Sequence, residues 1–117
     1  MSTANKRKGA QWETDLVKYL RGRKFEAERL ARTGRNDEGD VFLETGTHCF
    51  VVEAKNAARI DLAGWSKEAD VEATNYAKHR EQSPHAFFPV VVIKRRNSGT
   101  EKAYVVMSLE NFCNLIE

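Results

Sequence analysis

Two β-rich runs on either side of Thr45-Gly46-Thr47 constrain this chain most. Asp40-Val41-Phe42-Leu43-Glu44 is the first, and His48-Cys49-Phe50-Val51-Val52-Glu53-Ala54-Lys55 the second. Both are dense in β-formers, and the short link offers a glycine for positive φ, so the pattern predicts a hairpin. Glu53 and Lys55 are two apart on a strand and therefore share a face. Asp40 begins the first strand, which in a hairpin lies beside the end of the second. The expected pairing brings Asp40 near Glu53 and Lys55.

The rest of the chain supplies elements to cover that hairpin. From about Gly9 to Arg21 the period is helical, with Trp12, Leu16 and Tyr19 in line and Val17 and Leu20 widening the stripe. Phe25 to Leu30 reads as a short strand, and Thr33 to Gly39 as a loop rich in turn formers. Asp61 is placed to cap a helix from Leu62 to about His79. Phe87 to Lys94 reads as a buried strand, Asn97-Ser98-Gly99 as a turn, and Ala103 to Met107 as a return strand. Ser108 is placed to cap a last helix, Leu109 to Ile116. The expected fold class is α/β, a small mixed central sheet flanked by helices. At 117 residues there is room for one domain. The expected division is a disordered basic arm over 1–7 and a single domain over 8–117.

No apolar run is long enough to span a bilayer, since the longest, Phe87 to Ile93, contains Pro89. The first eight residues lack the apolar core of a secretory signal, so an intracellular protein is expected. Cys49 and Cys113 form no CxxC pair and read as small buried apolar residues. His48, His79 and His85 are scattered without metal-ligand spacing.

Two carboxylates that converge with no histidine or thiolate nearby suit a hard divalent cation, Mg²⁺ above all. Mg²⁺ held by Asp40 and Glu53 would polarise a phosphodiester oxygen and acidify a bound water. Lys55 would orient that water or stabilise the charge that builds on the phosphate. The competing reading of Glu53 and Lys55 is an ion pair on a solvated sheet face, because Glu-x-Lys alone is a weak signal. Glu13 stands in line with Val17 and Leu20 on the inward side of the first helix. It needs a partner there, such as Lys55 or a metal-bound water. The alternative is an acid favouring the helix dipole from the first turn. Glu72 shares a helical face with Trp65, Ala69 and Tyr76. It is a secondary candidate near the metal, with a surface-edge carboxylate the favoured reading.

Net charge is +2 but uneven: residues 1–35 hold ten Lys/Arg against four Asp/Glu, and the remainder nine against thirteen. A basic third beside an acidic remainder fits a polyanion-binding face next to a carboxylate site, although charge alone favours an ordinary solvated surface. Arg29, Arg32 and Arg35 lead into the loop before Asp40 and are candidate phosphate contacts, as are Lys6, Arg7 and Lys8. Lys94-Arg95-Arg96 reads as a solubilising turn. Trp65 and Tyr76 read as core residues, and Phe87 and Phe88 as core or interface.

Lys8-Gly9-Ala10-Gln11-Trp12-Glu13, Gly39-Asp40-Val41 and Val52-Glu53-Ala54-Lys55 resemble the PD-(D/E)xK nuclease superfamily. Within it, the spacing is closest to small archaeal-type Holliday junction resolvases and their phage counterparts. The resemblance runs from about Lys8 to Lys55, with Gly39 where the family's name has proline. It implies a restriction-endonuclease-like fold. It implies a catalytic set of Glu13, Asp40, Glu53 and Lys55, with Glu13 joining Asp40 and Glu53 at the metal. Mg²⁺ is the implied cofactor, with Mn²⁺ as a substitute. The implied partners are four-way DNA junctions and a second copy of the chain, with no membrane. Three alternatives remain: another nuclease of the superfamily, a non-catalytic DNA-binding accessory protein, and a protein–protein adaptor.

Overall fold

The computed structural model describes residues 3–30 and 38–117. The expected hairpin is present as β2 (Val41–Glu44) and β3 (Cys49–Lys55), antiparallel with Val41 opposite Val52. Gly46 takes φ +91° in the turn, which glycine adopts without the Cβ penalty. β1 (Glu26–Arg29) adds antiparallel to β2. The chain then crosses through α2 (Leu62–His79) to β4 (Phe88–Ile93), which pairs parallel to β3. β5 (Tyr104–Val106) returns antiparallel on β4. The result is a mixed five-stranded sheet in sequence order.

Strand alternation sends two apolar sets to opposite faces. Val41, Val52, Val90 and Val92 meet Trp12, Leu16 and Val17 of α1 (Thr3–Gly22). Trp12 is 1% exposed, and its indole N–H donates to the Val92 carbonyl at 3.4 Å. Truncating such a side chain costs about 3–5 kcal/mol, so this one residue does much to fix α1 on the sheet. On the other face Val51 meets Ala73 and Tyr76 of α2, and Val91 and Ile93 meet Ala69. Phe42 and Phe87 complete an aromatic group around Tyr76.

Local end signals act where expected. The Asp61 carboxylate accepts from the Gly64 amide at 3.0 Å, and the Ser108 hydroxyl oxygen accepts from the Asn111 amide at 3.0 Å. Three expectations change. Residues 3–7, expected as a disordered arm, form the first turns of α1. Ala4, Lys6, Arg7 and Lys8 are good helix formers, and they extend a helix already anchored through Trp12. Cys113 is exposed rather than buried, while Cys49 is half-buried. The reason is α3 (Leu109–Ile116), which carries Cys113: it leaves Leu109, Phe112 and Ile116 exposed and buries none of its residues. No helix among the described residues is long and apolar enough to cross a membrane.

Candidate active site

The end of β3 holds the carboxylates together. Extending the β2–β3 register by one position sets Asp40 opposite Glu53. Asp40 is tied down on three sides. Its amide donates to the Val52 carbonyl at 2.9 Å, and its carbonyl accepts from the Leu30 amide at 2.9 Å. One carboxylate oxygen accepts from the Ala54 amide at 2.9 Å. The side chains of Asp40 and Glu53 are near enough to interact, and Asp40 helps to raise the Glu53 pKa. Both residues are buried, so the pair does not stand on a solvated sheet face.

Lys55 follows on the same face, with Nζ 3.8 Å from Glu53 and 2.7 Å from Glu68. Its ammonium also lies 5.6 Å from the centre of the half-buried Trp65 ring. Asp40, Glu53 and Lys55 therefore meet as the hairpin predicts. The structure adds α2 to them. Glu68 and Glu72, one helical turn apart, face the end of β3. Oxygens of Glu53, Glu68 and Glu72 lie within 4.8 Å of one another, a spacing that suits a shared cation.

Glu72 is thus not a surface-edge carboxylate. It is 8% exposed, and its Oε2 is buried with no hydrogen-bond partner. Glu68 was not foreseen from the sequence. Its signal was present in the i, i+4 spacing to Glu72 and its place one turn after Trp65. Gly39 explains the departure from proline. It takes φ +92°, out of reach of a proline ring, and a Cβ there would stand 2.7 Å from Val51 Cγ1 and 3.4 Å from Glu72 Oε2. The bare backbone lets Asp40 and Glu72 share one end of the sheet.

Glu13 reaches the cleft from the opposite layer. It is buried in mid-helix, so the helix-dipole reading does not apply, and it accepts from the Arg29 guanidinium at 3.1 Å. Arg29, read as a phosphate contact, is thereby partly committed to an ion pair. Glu13, Arg29, Asp40, Glu53, Lys55 and Glu72 all line one open cleft of about 670 Å³. Lys6 joins it from the first turns of α1, with Arg7 and Lys8 exposed nearby. Arg32 and Arg35 lie outside the described residues.

Crowded carboxylates in a dry site cannot all ionise. Burial pushes the Glu53 carboxyl far above its usual range, and hydrogen bonds to Asp40, Glu68 and Glu72 push the same way. Burial also raises Glu72 to about 7, assisted by the charges of Asp40 and Glu68 and opposed by the hydrogen bond from Glu53. Glu68 is lowered, first by the Glu53 hydrogen bond and then, against burial, by Lys55. Burial works against the Lys55 ammonium, but Glu68 and Glu53 outweigh it and raise its pKa. The cluster therefore holds a Glu53 carboxyl that gives up its proton less readily than usual, set among three other acids with a lysine at their mouth.

No family model matches the sequence, and no curated protein does. Among solved structures, the chain is similar to Hjc of Archaeoglobus fulgidus, a Holliday junction resolvase from an archaeal hyperthermophile. The match covers 82% of this chain and 84% of Hjc, with a TM-score of 0.54 and 18% sequence identity. The five-stranded sheet with helices on both faces is the fold of that resolvase.

Proposed function

We propose that this chain is a divalent-cation-dependent endonuclease that hydrolyses phosphodiester bonds in branched DNA, with the four-way junction as its preferred substrate. The observation that carries the reading is the buried, unpartnered Oε2 of Glu72 beside Glu53 and Glu68. An ionised carboxylate oxygen left unpaired in a dry site is costly. Protonation or a bound cation removes that cost. The donors are all oxygens, so the cation is hard: Mg²⁺, with Mn²⁺ as a substitute. Asp40, Glu53, Glu68 and Glu72 would hold it. Bound there, it supplies a Lewis acid for a phosphate oxygen and a means of acidifying the attacking water.

The chain's own residues do the rest. Lys55 stabilises the charge that builds on the scissile phosphate, and Glu68 holds it at the mouth of the cleft until that phosphate arrives. The Ala54 amide fixes the Asp40 carboxylate, so the site needs little rearrangement to act. Arg29 takes a flanking phosphate with the part of its guanidinium that Glu13 leaves open. Glu13 holds Arg29 in place, a positioning role. Likeness to Hjc in fold supports the choice of a junction over linear duplex, and a homodimer whose two clefts each cut one strand.

The test uses labelled four-way junction, linear duplex and single strand, with Mg²⁺ or EDTA, and Asp40→Asn beside the wild type. Paired nicking of the junction, lost with EDTA and with the substitution, is the expected result. Cutting of duplex without junction preference would keep the nuclease and remove the resolvase. Binding without cutting of any substrate would leave an accessory protein.

A further inference from the structure

A second cleft, of about 610 Å³, opens just beyond the first. It is lined by Lys8, Lys94, Arg95 and Arg96, with the amides of Asn56 and Asn97, and no Asp or Glu lines it among the described residues. Its position follows from the sheet. β3 and β4 run parallel, with Lys55 opposite Ile93, so both strands end at the same edge. The Lys94 amide donates to the Lys55 carbonyl at 2.8 Å. The basic tract thus leaves β4 beside Asn56, one residue past the lysine of the first cleft. Arg95 and Arg96 are exposed, and the Arg95 guanidinium lies 6.0 Å from the centre of the Tyr104 ring, which is 49% exposed. On α1, Lys6 lines the first cleft and Lys8 the second, so the first turns of that helix border both.

We infer that this second cleft binds the phosphate backbone of the substrate strand on one side of the scissile bond, with Lys8, Arg95 and Arg96 as the contacts. The inference rests on the nuclease reading of the first cleft for its orientation, but its binding claim can be measured without cleavage. The spacing supports it. Paired strands lie about 4.8 Å apart, so the ends of β3 and β4 are within the reach of one stretch of DNA backbone. A strand with one phosphate at Lys55 sets its next phosphates over the tract that follows β4. The cations there are arranged for backbone contact, and the half-exposed Tyr104 ring offers a surface for an unstacked base at a branch point.

The test measures binding of fluorescent four-way junction and of duplex in EDTA across a range of salt. Arg95→Ala/Arg96→Ala is compared with wild type and with Lys18→Ala/Lys78→Ala, which removes the same charge outside both clefts. The expected result is a loss of affinity of about tenfold or more for the first variant, and a salt slope shallower by about 1 for each phosphate contact removed. The control variant should stay close to wild type, and melting temperatures should match across all three. Phosphate-ethylation interference should then map the lost contacts to one side of the nick. Equal weakening by both variants would overturn the inference, because net charge alone would account for it. So would unchanged binding by the first variant, and if the wild type still nicks DNA in Mg²⁺ the nuclease reading survives that failure. The reverse outcome, site-specific loss of binding in a wild type that never cuts, keeps the phosphate cleft and removes the nuclease.

Discussion

The two clefts flank the same helix end and could hardly differ more. One gathers Asp40, Glu53, Glu68 and Glu72 around a single lysine, with most of these acids buried. The other sets four cations over exposed ground with no opposing acid lining it among the described residues. Burial is what separates them. In the first cleft Asp40, Glu53 and Glu72 are buried at the floor, so their charges interact strongly and proton positions shift. In the second, solvent screens each charge, and the value of the site lies in the number of phosphates it meets. On the proposed reading, the acidic cleft does the chemistry and the basic cleft supplies the hold.

The largest effect should come from the acidic side. Lys55→Ala is expected to lower the nicking rate by about 10²–10³-fold while junction binding in EDTA changes little. A matched loss of binding and rate would move Lys55 out of the chemistry. Next is Glu72→Gln, which keeps the shape but removes the charge. Cation affinity, read by calorimetry with Mn²⁺ or Mg²⁺, should fall by about tenfold or more, and the cation-free protein should melt higher than wild type. An unchanged affinity would take Glu72 out of the donor set.

Backbone strain gives a third effect. Gly39→Ala forces a side chain onto a φ of +92° and against Val51, and should cost about 1–3 kcal/mol in denaturant unfolding. It should also slow nicking, because Asp40 is the next residue. The smallest effect is on pH dependence. Glu72 titrates near 7 when folded, above its usual 4.5. Between those values the folded state binds more protons than the unfolded one, so stability from this group falls as pH rises through that window. In EDTA, the melting temperature should therefore rise by a few degrees from pH 7.5 to 5.5, and saturating Mg²⁺ should flatten the trend. A basic-cleft variant should leave that profile unaltered, which sharpens the contrast between the two sites.

What could be read in advance was local. The Thr45-Gly46-Thr47 turn, the Asp61 and Ser108 caps and the apolar stripe through Trp12 and Leu16 depend on near neighbours in the chain, and all are present. Asp40, Glu53 and Lys55 were legible because hairpin pairing converts sequence spacing into contact. Glu68 and the burial of Glu72 depended on where α2 lands across the parallel β3–β4 crossover, which no local spacing reveals. The same crossover carries Lys94, Arg95 and Arg96 to the edge of the site. Glu13 was legible as inward-facing, but its Arg29 partner comes from a different element, β1. The start of α1 was missed because a polar, basic run reads as unstructured even where its residues favour helix.

The division of labour is tested most directly by single-turnover nicking of a four-way junction in Mg²⁺ at saturating protein, comparing Lys55→Ala with Arg95→Ala/Arg96→Ala. The account predicts that the Lys55 variant stays slow however much protein is added, whereas the double variant regains the wild-type rate once enough protein is present to bind all the DNA. A Lys55 variant that nicks at the wild-type rate, or a double variant that stays equally slow at saturation, would contradict it.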